Sequence, residues 1–201
     1  MRIKIFLILI FCLCSQILFA SANKIDFMLN DPVINMVIKK QKLITTASFN
    51  VKSKSKKQLL ETLYNFKNLQ KIMKGTCEIE LIKSENNSHI VKYKYSGIGW
   101  SLNSTFKRTL LNDRIAIKLI DVKTTGILPQ PAEADSEGYY LVEKNDKNIY
   151  KVSYFQEASS PVKIGSSIYL KVAKSKMKVF LIKLQKSIND KGDIDVKKAE
   201  K

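Results

Sequence analysis

The chain has 201 residues, 45% hydrophobic and 26% charged, with a formal net charge of +17 carried almost wholly by lysine. That composition is globular rather than disordered, and the length suits one ordinary domain. A single histidine, three cysteines and the absence of a phosphate loop, a zinc spacing or a nucleotide fingerprint leave the common metal and nucleotide chemistries without their usual residues.

The first segment reads as a secretion signal. Arg2 and Lys4 make a basic start, Ile5 to Leu13 an apolar run that resumes through Phe19 after Cys14, Ser15 and Gln16, and Ala20-Ser21-Ala22 a small-x-small cleavage site. The segment 1–22 therefore predicts export to the periplasm or the exterior, with cleavage after Ala22 and a mature start at Asn23. An uncleaved anchor is the competing reading, which the early polar break and the small-residue site disfavour. Lipid modification is disfavoured because Phe11 and Leu13, not small residues, precede Cys12 and Cys14. Cleavage leaves Cys77 as the lone mature thiol, so the fold stands without an internal disulfide. It also takes two positive charges and no acid from the +17, leaving +15. A field of that sign draws a protein to anionic membranes, while export sets genomic nucleic acid aside as a partner. A lysine-rich habit of the source organism is the plainer account of the same charge.

Residues 23–42 form a lead segment whose type stays open, since Asp31-Pro32 suits a helix start while Val33 to Ile38 is strand-like. Leu43, Thr45, Ala47, Phe49 and Val51 alternate with polar residues and predict a half-buried strand. Ser55 with Gln58 three residues on is a capping-box pattern, and Leu59, Leu60, Leu63, Phe66, Leu69, Ile72 and Met73 follow at helical spacing to Gly75. A break near Asn65 to Asn68 predicts one helix followed by a shorter one.

Three hairpins are expected next. The first turns within Ser84 to Ser88, pairs Glu80 with Lys92 and Glu78 with Lys94, and turns Cys77, Ile79, Leu81, Val91, Tyr93 and Tyr95 inward. The second turns at Asn112-Asp113 and sets Phe106, Arg108 and Leu110 on the face of Ile115, Ile117 and Leu119. The third turns at Asn145-Asp146 and buries Tyr140, Val142, Tyr150, Val152 and Tyr154. A long helix over Ser166 to Ile188 carries the stripe Leu170, Ala173, Met177, Phe180, Leu181, Leu184 and Ile188, opposite a face of Lys171, Lys174, Lys178, Lys183 and Lys186. A polar tail, 189–201, closes the chain.

A strand, a broken helix, antiparallel hairpins and one long carboxy-terminal helix with a single apolar stripe require an α+β, helix-grip architecture: a curved antiparallel sheet wrapped around that helix. The stretch Ala47 to Val51, Leu59 to Leu63 and Tyr64 to Met73, and the layout from Tyr150 through Ser159-Ser160-Pro161 to the long helix, resemble the START-like superfamily, also called SRPBCC. Its members include polyketide cyclases, coenzyme Q-binding proteins and lipid-transfer domains. Asn65 stands where that superfamily often has aspartate, and no proline follows Gln70. The resemblance covers 43–188. It implies a cavity between sheet and helix that binds a lipid or other hydrophobic small molecule. The large inward side chains are its candidate lining: Tyr93, Tyr95, Trp100, Phe106, Arg108, Ile117, Tyr140, Tyr150, Tyr154, Met177 and Phe180.

Two of these carry sharper expectations. A buried Arg108 needs a partner, either an internal acid such as Asp121 or the polar head of a ligand. Trp100, among Gly97, Gly99 and Ser101, is read as a mobile lid or membrane contact, or as a staple of its loop to the core. Elsewhere the signals are weaker. His89 sits at the edge of a polar turn, Cys77 reads as a small buried hydrophobe, and Glu133, Asp135 and Glu137 alternate as solvent-facing acids that lack the further ligands of a cation site. The sequence thus predicts a monomeric, non-catalytic binding protein without cofactor, held near anionic membranes. A polyketide cyclase or aromatase-like enzyme and a secreted protein-interaction module are the alternatives.

Overall fold

The sheet forms because alternate apolar residues recur along eight stretches, two before the helical pair and six after it. The computed structural model describes residues 31–40, 42–126, 134–159 and 167–199; the signal segment, Glu133 and the Ser160-Pro161 part of the last turn lie outside them. The strands are β1 (Val33–Lys39), β2 (Lys42–Lys52), β3 (Glu78–Glu85), β4 (Ser88–Gly97), β5 (Trp100–Leu110), β6 (Arg114–Gly126), β7 (Ser136–Asp146) and β8 (Ile149–Ser159). Helices α1 (Lys56–Tyr64) and α2 (Phe66–Met73) follow β2, and α3 (Ser167–Ala199) ends the chain. The strands make one curved antiparallel sheet in the order β1-β2-β8-β7-β6-β5-β4-β3.

The segment left open by sequence is settled. Val33–Lys39 is an edge strand, paired from Val33 opposite Ser48 to Lys39 opposite Lys42, so the sheet starts ahead of Leu43. The helix break falls at Asn65, whose backbone N–H bonds to the Glu61 carbonyl while its side chain caps α2 by accepting from the Asn68 N–H at 3.1 Å. Ser55 caps α1, accepting from the Gln58 N–H at 3.1 Å.

The first two hairpins keep the expected register. Glu78 faces Lys94 and Glu80 faces Lys92, while Leu110, Arg108 and Phe106 face Ile115, Ile117 and Leu119. The ion pair that forms is the diagonal one, Lys94 to Glu80 at 2.7 Å. A bulge between Leu81 and Lys83 breaks the alternation, and Leu81, expected inward, is 37% exposed. The third hairpin turns two residues later than expected. A register shift past Lys144 carries β7 on to Asp146, and Asn148 takes the turn at φ 59, a conformation asparagine tolerates. Helix α3 likewise runs past the expected end at Ile188, to Ala199.

The core divides in two. Where α1 packs on β5, β6 and β7, and the later part of α3 reaches β2, the interior is filled: Val51, Leu59, Ile115, Val142, Val152, Leu181, Leu184 and Ile188 are buried. Polar bonds hold this end, with Gln185 Nε2 donating to the Asn50 carbonyl at 2.8 Å and the Lys52 N–H to Asn189 Oδ1 at 3.0 Å. One to three turns earlier, Ala173, Met177 and Phe180 are only half buried. There Met177 and Phe180 pack against the edge of the core and also border open space.

This contrast is measurable. Leu181→Ala removes a fully buried side chain from the filled end and should cost about 3 kcal/mol in denaturant unfolding, while Met177→Ala, which enlarges a space already present, should cost about 1 kcal/mol or less.

Candidate functional site

The space beside α3 is a cavity of about 350 Å³, within the range of small-molecule sites. Its floor comes from alternate residues of β5, namely Leu102, Ser104, Phe106 and Arg108, with Tyr93 and Tyr95 on β4 and Ile117 on β6. Tyr140 of β7 and Tyr154 and Gln156 of β8 continue that wall, and Met36, Leu43 and Thr45 carry it onto β1 and β2. Leu69, Ile72 and Met73 of α2 and Met177 and Phe180 of α3 complete it. Inward faces of seven strands and a helical stripe thus converge on one volume.

Of the eleven expected lining residues, nine do line it: Tyr93, Tyr95, Phe106, Arg108, Ile117, Tyr140, Tyr154, Met177 and Phe180. Two do not. Tyr150 belongs to the filled end, buried opposite Val51. Trp100 is one pleat beyond Leu102 on the same face of β5, where β5 and β6 have outrun β7, whose pairing with β6 ends at Lys118 opposite Glu137. It stands half buried at the hairpin tip, opposite Gly126, and a side chain at Gly126 would strike the Gly99 carbonyl at 1.9 Å. Sequence reasoning passed over Met36, Thr45, Gln156 and the α2 side chains, because a strand or helix face shows which way a residue points but not which neighbour is missing.

Arg108 is the polar centre of the site. It is 2% exposed, and its guanidinium donates to two carbonyls at the end of α1, from Nη2 to Leu63 at 2.7 Å and from Nη1 to Tyr64 at 3.3 Å. The last four carbonyls of a helix have no partner within it. Here Glu61 is bonded by the Asn65 N–H, Thr62 by Asn68 Nδ2 at 3.0 Å, and the last two by Arg108. A cation at this end also meets the negative pole of the helix. The expected acid partner is ruled out: Asp121 is exposed and pairs with Lys123 at 3.6 Å, because a bulge after Thr105 turns it away from Arg108.

Three aromatic pairs lie in this part of the protein. The Tyr64 ring lies 5.9 Å from the Arg108 carbon and stacks on His89 at 4.1 Å between centroids. Burial holds His89 below its ordinary range, with the Arg108 charge acting in the same direction. Its Nδ1 has no hydrogen-bond partner among the described residues, so the histidine is a stacking group here. Tyr93 meets Phe106 edge-on at 5.6 Å, and Tyr140 lies 4.9 Å from Tyr154. Burial raises the hydroxyls of Tyr93, Tyr140 and Tyr154 above the usual tyrosine range, the Arg108 charge opposing this at Tyr93 and Tyr140. Tyr154 donates to Gln156 Oε1 at 2.5 Å, and Gln156 Nε2 to Ser136 at 2.8 Å. Burial pushes the Cys77 thiol up to about 11, against a bond from Tyr95, which leaves it a poor nucleophile.

No family model matches the chain, and no curated protein does. Solved structures do match. The human StarD13 lipid transfer and protein localization domain is 12% identical at a TM-score of 0.54, covering 79% of this chain and 85% of that one. The fold is START-like. A START superfamily protein from Mycobacterium smegmatis, 8% identical at a TM-score of 0.55, covers 73% of this chain and 97% of its own. The Zhui aromatase/cyclase from Streptomyces sp. R1128, 11% identical at 0.53, covers 76% and 96%. At these identities the likeness is one of START-like architecture, shared by binding proteins and enzymes alike.

Arg108→Met should lower unfolding free energy by about 2 kcal/mol, because it leaves two helix-end carbonyls buried and unbonded. Arg108→Lys, which keeps the charge but not the fork, should recover part of that loss in the same thermal or denaturant melt.

Proposed function

We propose that this chain is an exported, START-like binding protein that holds a lipid or other hydrophobic small molecule between its sheet and α3, the two jaws of a helix grip. The observation carrying this is the change in α3 along one stripe. Leu181, Leu184 and Ile188 are packed, while Ala173, Met177 and Phe180 border the 350 Å³ cavity. An apolar wall without apolar filling is a binding surface, since burying a ligand against it removes both from water. Likeness to a lipid transfer domain supports the reading.

A cyclase reading draws on the likeness to the Zhui aromatase/cyclase. The tyrosines on this cavity favour binding, since burial makes their protons harder to lose, and the one histidine, stacked on Tyr64, is not part of its lining. Export rests on the basic start, apolar run and small-residue site of 1–22. Native mass spectrometry of protein taken from its own host should find a chain beginning at Asn23 with an apolar molecule bound. A chain still carrying Met1 would overturn export, and an empty protein that takes up no lipid would overturn the binding reading.

Peripheral membrane contact completes the proposal. Ile98 at the β4–β5 tip is 99% exposed, next to Trp100 and one pleat beyond the cavity wall, and Lys171 and Lys174 are exposed on α3. An apolar tip on a cationic protein suits an anionic bilayer. The emission of Trp100, the only tryptophan, should shift to the blue with anionic vesicles, less so with zwitterionic ones, and less again for Ile98→Asp. Emission unchanged by anionic vesicles would sink the contact.

A further inference from the structure

A guanidinium offers five N–H donors, and Arg108 spends two of them on the α1 carbonyls. No carboxylate pairs with it among the described residues. Two carbonyls and a helix pole supply partial charges, whereas a cation this deeply buried calls for a full counter-charge. Arg108 is also the last of the β5 residues on the cavity wall, at the end nearest α1.

Two tyrosines share the cavity wall with it. The Arg108 charge acts on both Tyr93 and Tyr140. Their hydroxyls add hydrogen-bonding capacity to the lining that holds the cation. Away from this end the wall turns apolar, through Phe106, Leu102, Met73, Met177 and Phe180. The volume therefore has a buried cation at one end and a mostly apolar remainder, with Ser104 and Gln156 on the sheet side and Lys176 and Lys183 on the α3 side.

We propose that the cavity selects an amphiphile ending in a compact anion, a carboxylate or a phosphate, whose oxygens take the unused N–H groups of Arg108 while its tail lies along α3. This rests on the binding reading above and adds the class of ligand. Charge-assisted bonds from a preset fork to an oxyanion are about twice as strong as neutral ones, and burial shields them from salt.

The test uses the full mature chain and displacement of the neutral probe N-phenyl-1-naphthylamine by 1-dodecanol, dodecanoate and dodecyl phosphate. Wild-type protein should bind at least one of the two anions about tenfold or more tighter than the alcohol, and which anion it prefers distinguishes a fatty-acid from a phosphate source. The preference should persist at about 0.5 M NaCl, where attraction to surface lysines is screened. Lys176 and Lys183 also reach the cavity from α3, and the salt arm separates their half-exposed charge from that of Arg108.

In Arg108→Gln the anion-to-alcohol ratio should fall to about one. Equal binding of alcohol and anions by wild type, a preference erased by salt, or a preference intact in folded Arg108→Gln would overturn the inference and leave the binding reading standing. Binding of neither probe nor any amphiphile would overturn both. If Arg108→Gln does not fold, Arg108→Lys stands in, with a smaller preference expected and an unchanged one counting against the fork.

Discussion

One buried contact joins the parts of this protein: the Arg108 guanidinium against the last two carbonyls of α1. A helix that ends inside a fold must find partners for those groups, and α1 ends there because Asn65 turns the chain into α2. The arginine on β5 supplies them, and in doing so ties the α1–α2 junction to the middle of the sheet. It also determines where the filled core stops. On one side of Arg108, α1 covers the sheet with Leu59 and Leu63 against Ile115 and Val142. On the other, the covering elements are α2 and the earlier part of α3, which stand over the cavity.

The stack of Arg108, Tyr64 and His89 follows from that anchor. Tyr64 is the last residue of α1, so a cation held at the helix end lies over its ring, and His89 faces Arg108 across β4 and β5. Cation, phenol and imidazole are thus brought together by helix length and strand register. The histidine is absorbed into packing, and the chemistry at the site is left to Arg108 and the tyrosine hydroxyls.

Much of this was legible along the chain. The pairings Glu80 with Lys92 and Arg108 with Ile117 follow from alternation and turn position, because a slip of one residue would turn an entire face outward. Ser55 and Gly75 marked helix ends by capping chemistry, and the break near Asn65 to Asn68 marked the division between the two helices. The errors fall where a local irregularity intervenes. A bulge after Thr105 turned Asp121 to solvent, Leu81 stands 37% exposed on edge strand β3 although it keeps its pairing with Val91, and extra residues in β7 moved the third turn to Asn148. A bulge costs little and leaves no strong mark on composition, so the pattern alone passes over it.

By itself, then, the sequence determined the inward faces, the order of elements and the presence of one arginine among apolar neighbours, since these depend on period and local backbone preference. Tertiary structure decided what stands opposite each face. Whether Met177 meets a side chain or a void, whether Tyr150 lines the cavity or fills the core, and whether Arg108 bonds an acid or a helix end are settled by elements far apart in the chain. Packing is a relation between surfaces brought together only on folding, and no periodicity within one segment records what its partner leaves unfilled.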